Sequence, residues 1–290
     1  NPNVGKSVLF NALTGAYVTV SNYPGTSVEV TKGRAEIAGE TLEIIDTPGM
    51  YSLLPITEEE RVARKILLTE APDLIIHVID ARNIERMLAM TLQLIEAELP
   101  VVLVVNILDE AERLGFTIDA PLLEKRLGIP VIGAAVAKKR GLTEIRKAIA
   151  VYQKRPATMP SYSRRLKKDI ADVASLLRGG YALGKEATAL LLLQRDEEIA
   201  RLAEEQEGDA YPSVEDKVRE KTFMRRESFH LDLSLERKGI IKVILEGVFR
   251  VPEHHRIALN ERISRFTLRP LTGVPLLLMV LYFGLYQFVG

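Results

Sequence analysis

Four short apolar runs dominate the first half of this chain: residues 41–46 (TLEIID), 74–80 (LIIHVID), 100–106 (PVVLVVN) and 130–133 (PVIG). They are continuous in Val, Ile and Leu rather than alternating, the pattern of strands buried on both faces of a parallel sheet. Segments of helical spacing lie between and around them, at residues 6–13, 57–69, 84–97, 120–127 and 142–152. Strand and helix in alternation predict an α/β fold with a doubly wound sheet and helices on both faces. In such a sheet ligands sit beyond the C-terminal strand ends, which is where Asp46, Asp80 and Asn106 fall.

The texture changes after Pro156 and Pro160. Residues 164–207 have helical spacing broken once at Gly179-Gly180, a loop is expected at 208–212, and further helix at 214–229 and 233–248. This divides the chain into an α/β domain over 1–155 and a small all-α domain over 160–268. Residues 271–290 carry no charge and follow Arg262, Arg265 and Arg269. Twenty such residues would reach roughly 30 Å as a helix, so they predict the start of a transmembrane region with everything before it cytoplasmic. The chain opens on Asn1 rather than Met and closes inside this apolar run, which reads as a piece of something longer. Lys and Arg balance Asp and Glu at 39 each, which removes the basic footprint of a nucleic-acid binder. With no Cys, disulfides, thiolate metal sites and iron–sulfur clusters are excluded. His77, inside an apolar run, and His254-His255 read as core and surface histidines, since no further ligand lies at a recognisable metal spacing.

Three motifs carry chemistry. Residues 2–7 read PNVGKS, the second half of a phosphate-binding loop whose first Gly and preceding strand would lie before Asn1. There a helix N-terminus cradles phosphates, Lys6 reaches the β/γ oxygens and the Ser7 hydroxyl ligates Mg2+. Asp46-Thr47-Pro48-Gly49 continues a strand; its Asp holds the Mg2+ shell and Gly49 lets a backbone N–H approach the γ-phosphate. Asn106 and Asp109 close a third strand as N-x-x-D. The Asp109 carboxylate can accept from guanine N1–H and its exocyclic amine, a pairing adenine lacks, which points to GTP over ATP. Strand termination and helix capping are the bland alternative for the same two residues.

In this order and spacing the motifs resemble the G domain of P-loop GTPases. Within that superfamily NPNVGKSVLFNALTG, SNYPGTSVEV, DTPGMYSL, NILDEA and RPLTGVPLLLMVLYF are similar to the ferrous iron transport protein B family, whose members are polytopic proteins of the cell membrane with a cytoplasmic G domain followed by a helical domain like a GDP-dissociation inhibitor. Ile107, where other G domains place Lys, agrees with that family. The resemblance implies phosphate contacts from Asn3, Val4, Gly5, Lys6, Ser7 and Val8, with Lys6 and Gly49 closest to the chemistry. It implies base contacts from Asn106 and Asp109, and backbone contacts from Val136 and Ala137 in a loop lacking the usual Ser-Ala pair. Switch I would be residues 17–30, with either Ser27 or Thr26 as its Mg2+ ligand beside Ser7 and Asp46. Asn3 stands where potassium-activated GTPases hold K+, which implies K+-stimulated turnover; bracing the loop is its other reading. Met50 stands where a water-orienting Gln would be, so intrinsic hydrolysis of GTP to GDP and phosphate should be slow. Fe2+ would be the transported substrate, through a pore beyond Gly290. A small cytoplasmic partner protein and a homo-oligomer are consistent with the family, and nucleic acid is not expected. Two rivals remain: a GTP sensor that gates a channel without obligatory turnover, and a soluble GTPase of tRNA modification or ribosome assembly.

Overall fold

The computed structural model describes residues 4–15, 18–154, 157–223, 226–250, 267 and 270–283. Its elements run α1 (Lys6–Thr14), β1 (Val18–Asn22), β2 (Glu29–Ile37), β3 (Glu40–Asp46), α2 (Glu58–Thr69), β4 (Ile75–Asp80), α3 (Ile84–Glu96), β5 (Val101–Asn106), α4 (Leu108–Arg113), β6 (Thr117–Ile118), α5 (Ala120–Leu127), β7 (Val131–Gly133) and α6 (Leu142–Ala150). Then come α7 (Arg164–Ala174), α8 (Lys185–Leu193), α9 (Glu197–Glu207), α10 (Tyr211–Thr222), α11 (Arg226–Leu245), β8 (Phe249–Arg250) and α12 (Pro270–Leu281).

The continuous apolar runs form the parallel sheet β4-β5-β7, with Asp80 opposite Asn106 at its C-terminal end. Every residue of β5 is buried, as a central strand covered on both faces requires. The second sheet, β1-β2-β3, is antiparallel, and among the described residues β3 is not hydrogen-bonded to β4. The single doubly wound sheet expected from the sequence is therefore present as two three-stranded halves. Strands β1 and β2 occupy much of the segment expected as switch I. Their tie to β3 is a two-residue hairpin in which Ala38 (φ 54°) and Gly39 (φ 86°) both take positive φ, the mirror-image turn that suits strand twist.

The expected loop at 208–212 is instead a 3₁₀ turn, Gly208–Ala210, running directly into α10, where Pro212 lies in the first turn and loses no intrahelical bond. The expected break before 233 is absent, since α11 spans 20 residues. Two compact units are present, Asn1–Arg250 and Val251–Gly290. Within the first, the helices after Arg164 share one hydrophobic core with the α/β part. The buried ring of Tyr162, on the connecting segment, fastens them: its hydroxyl donates to Glu96 on α3 and accepts from Arg237 Nε on α11 at 3.0 Å. Arg237 also reaches the second Glu96 oxygen at 2.7 Å.

In the second unit, α12 has 12 residues, so at 1.5 Å per residue it is about 18 Å long, short of the roughly 30 Å of a bilayer core. Among the described residues no helix is long and apolar enough to cross a membrane. The span expected over 271–290 is not shown by the described part of that stretch. Residues 284–290, and with them the end of that stretch, lie outside the described residues, as do His254 and His255.

Two buried polar groups define how this fold responds to perturbation. Arg64 on α2, 2% exposed, pairs with Asp196 and Glu198 at the start of α9 and donates to Leu53 O at 3.2 Å. Asp196 also accepts from the Glu198 and Ile199 amides, capping α9. Removing one partner of a buried pair strands the other, a cost of about 3–5 kcal/mol, whereas an exposed partner contributes under about 1 kcal/mol. Arg64→Met is accordingly expected to lower the unfolding free energy by about 3 kcal/mol, and Glu198→Ala, at a half-exposed carboxylate, by less than about 1 kcal/mol, both read from urea midpoints.

His77 on β4 contacts Thr91 Oγ1 at 3.0 Å through Nδ1, and its Nε2 is buried without a hydrogen-bond partner. Burial pushes its pKa down to about 3. The unfolded chain therefore takes up this proton near pH 6.5 and the native chain only near 3; the stability is present above 6.5 and is lost as pH falls. Between pH 7 and 4.5 the protein should lose roughly 2–3 kcal/mol more than a His77→Gln variant does. Equal losses in urea titrations at the two pH values would contradict this assignment.

Candidate nucleotide site

Gly5 initiates α1 at φ 81°, a left-handed conformation that a side chain would strain. A Cβ there would also lie 2.5 Å from Asn106 Nδ2, so glycine is required twice over. No side chain caps α1 and no acid lies in its first turn. Its leading N–H groups and the positive end of its dipole thus remain for an anion.

The loop before α1 is fixed from across the sheet. Buried Asn106, the last residue of β5, donates from Nδ2 to Val4 O at 2.8 Å and accepts at Oδ1 from Val136 N–H at 3.0 Å. One side chain joins the phosphate loop to the loop after β7. Val136 spends its N–H on Asn106, so of the two backbone donors expected for the base, Ala137, on an exposed residue, is the one not engaged with Asn106. Ile107 follows at φ 62°, an unfavourable conformation for a β-branched residue, and turns the chain into α4. Leu108 N–H then bonds Ala134 O at 3.0 Å, and Asp109 stands in the first turn of α4.

At the C-terminal end of β3, Asp46 meets the start of α1. Ser7 Oγ donates to Asp46 Oδ2 at 2.9 Å, Lys6 Nζ lies 2.9 Å from Asp46 Oδ1 as an ion pair, and Lys6 also donates to Thr47 O. Asp46 Oδ1 is buried and has no aligned hydrogen bond. A carboxylate with one oxygen on the Ser7 hydroxyl and the other held only by a lysine ion pair is a hard-oxygen set that fits Mg2+, which takes few protein ligands and completes its shell with phosphate and water. Of the two switch I hydroxyls, Thr26 Oγ1 is tied into a turn, donating to Tyr23 O at 2.9 Å and accepting from Val28 N–H at 3.3 Å; Ser27 is exposed. Val8 is exposed on α1, and Asn3, the expected K+ ligand, lies outside the described residues.

Beyond Gly49 the chain is held by polar side chains of α2 and α3; the run 58–61 (EEER) reads from sequence as a solvated first helical turn, yet Glu60 within it is buried. Met50 is buried. Glu60, buried on α2, accepts from Tyr51 N–H at 3.2 Å and Ile56 N–H at 2.8 Å while closing a capping box with Thr57. Gln93 Oε1 accepts from Ser52 Oγ and Leu53 N–H, each at 2.9 Å. The T-x-x-E spacing of the box was visible in the sequence; the buried Gln93 left no signal beyond being polar in an apolar helix.

Around the expected base pocket each acid of α4 has a cation from another segment. Asp109 Oδ2 lies 2.8 Å from Lys138 Nζ, Glu112 takes both Arg140 nitrogens at 2.8 Å, and Glu110 pairs with Arg82. The Lys138 hydrogen bond holds the Asp109 carboxyl below the ordinary carboxylate range.

Comparison with known proteins gives this arrangement a family. The profile of the family described as ferrous iron transport protein B matches residues 1–149. The Fe(2+) transport protein A/Fe(2+) transporter FeoB fusion protein of Porphyromonas gingivalis is 32% identical over 97% of this chain. The chain spans 35% of the length of that relative. The cytosolic domain of the T. maritima FeoB iron transporter superposes in its GDP form with a TM-score of 0.74 and in its GMPPNP form with 0.73. Both are 30% identical, over 86% of this chain and 96% of theirs. The fold is thus that of an α/β P-loop GTPase G domain followed by a helical region. With its PNVGKS loop, its D-T-P-G strand end and its N-x-x-D strand end joined through Asn106, this chain belongs to the ferrous iron transport protein B family.

Proposed function

We propose that this chain is the GTP-binding and GTP-hydrolysing part of a ferrous iron membrane transporter, lying on the cytoplasmic side of the cell membrane. Residues 1–155 act as its G domain and 160–268 as the helical part that responds to it. The observation that carries this reading is the double hydrogen bond of Asn106, which brings a Lys6/Ser7/Asp46 cluster suited to phosphate and Mg2+ into one frame with Asp109. The GDP and GMPPNP forms of the T. maritima domain and the transporter names of the relatives support it.

Ser7 and Asp46, with Ser27 from switch I, would hold Mg2+, which neutralises charge on the β- and γ-oxygens when bound. Lys6 would release Asp46 to reach the same oxygens, and the Gly49 N–H would meet the γ-phosphate. Met50 is buried and apolar, so this chain lacks a side chain there to orient the attacking water, and turnover should be slow unless K+ at Asn3 supplies the missing charge. The hydrogen bonds from segment 51–57 to Glu60 and Gln93, and the Arg64 link from Leu53 to α9, support a path from the nucleotide to the helical part. Exposed apolar side chains on α12, among them Leu277, Leu278 and Met279, suit the membrane side. The fused transport protein A of the P. gingivalis relative suggests a small partner, and Fe2+ is the cargo rather than a ligand of this part. The burial of Met50 also favours a second reading, in which binding gates the channel and turnover is incidental.

Turnover measured with GTP and ATP, in K+ and in Na+, tests the proposal. GTP-selective hydrolysis that is faster in K+ is expected; a rate unchanged when Na+ replaces K+ would remove the role of Asn3, and tight GTP binding without turnover would favour gating. Asn106→Ala should weaken GDP binding at least tenfold and lower stability by about 2–3 kcal/mol, because it leaves Val4 O and Val136 N–H unpaired. Titration calorimetry and urea unfolding read the two effects.

A further inference from the structure

We propose that Lys138 sets guanine affinity by competing with the base for Asp109, an inference that rests on the reading of Asp109 as the guanine-recognising carboxylate. Lys138 closes the 3₁₀ turn Val136–Lys138, in the very loop that Asn106 ties to the phosphate loop, and its Nζ lies 2.8 Å from Asp109 Oδ2. That is donor-to-carboxylate geometry of the kind guanine itself would offer.

The competition follows from counting donors. Guanine presents two, N1–H and the exocyclic amine, and a bidentate pairing needs both Asp109 oxygens facing the base. Hypoxanthine presents N1–H alone and needs one. The ammonium on Oδ2 therefore opposes guanine and leaves hypoxanthine nearly unaffected, so the native chain discriminates between the two bases less than its carboxylate alone would. Among the described residues Lys138 makes no other ion pair; it is largely exposed, and its four-carbon stem can swing clear. An exposed pair of this kind is weak, which bounds the effect at about two- to fivefold.

Lys138→Met tests this, because methionine keeps an apolar stem against the base pocket while removing the ammonium. Dissociation constants for GDP and IDP are compared in the native chain, Lys138→Met and Asp109→Ala. The expected result is GDP binding about two- to fivefold tighter in Lys138→Met with IDP unchanged, so that the GDP/IDP ratio widens. A structural role for Lys138 would shift both nucleotides together, and an unaltered or narrowed ratio overturns the proposal while leaving Asp109 as the base reader. If Asp109→Ala binds GDP as well as the native chain does, the reading of the base pocket itself is wrong, and the Lys138 proposal falls with it.

Discussion

The carboxamide of Asn106 is the joint on which the site depends. It is buried, it is the last residue of a strand buried throughout, and it uses its donor on one loop and its acceptor on another. A buried amide left half-satisfied would cost about 1–3 kcal/mol, so neither loop can move away without a substitute partner. The demand propagates outward: Gly5 must lack a side chain because Nδ2 passes through the space a Cβ would fill, and Ile107 accepts a left-handed conformation so that α4 can start within reach of Ala134. Strain at a strand end, held by hydrogen bonds on both sides, is how a rigid sheet fixes the spacing of two loops.

The other end of the site is organised by charge. The segment after Gly49 makes its hydrogen bonds with Glu60 and Gln93 rather than with neighbouring backbone, so its conformation belongs to α2 and α3. Arg64 then joins it to the helical region, because the same guanidinium serves Leu53 O and Asp196. Separating them would leave a buried carboxylate that also caps α9 without its cation. Moving the 51–57 segment away from the start of α9 therefore either parts Leu53 O from the guanidinium or parts the guanidinium from Asp196.

The sequence showed what depends on continuous burial and on motif spacing. The strands β3, β4, β5 and β7 and the helices α2, α3 and α5 lie within one or two residues of where apolar runs and 3.6-residue spacing put them, whereas the short α4 was not marked by either. Strands β1 and β2 were not legible for the opposite reason: β1 is exposed along its length and β2 buries one face only, so neither presents a run of Val, Ile and Leu. The start of α10 was hidden by Gly208 and Pro212, which punctuate loops in general but here form a turn and a helix N-terminus. Within the site, Lys6, Ser7, Asp46, Asn106 and Asp109 came from spacing. Gln93, Arg64 and Lys138 act through contacts to Leu53, Asp196 and Asp109, which lie on other elements, or through a loop whose shape no local pattern encodes.

Balanced charge in the whole chain is repeated at the scale of the site. Lys6 lies against Asp46 and Lys138 against Asp109, so two cations rest on the two acids that would meet Mg2+ and guanine. On the proposed reading of the site, ligand binding would be an exchange of ion pairs rather than the capture of a ligand by naked charges. Such an exchange returns only the difference between old and new partners, which keeps affinity moderate and lets the nucleotide leave again. For the Lys6 pair the new partners would be a polyphosphate and a divalent cation, each stronger than the old, so the exchange would favour the ligand. For the Lys138 pair the new partner is a neutral base, and the gain is small. On that reading, discrimination between bases would be the property this chain holds closest to balance, and phosphate binding the one it holds furthest from it.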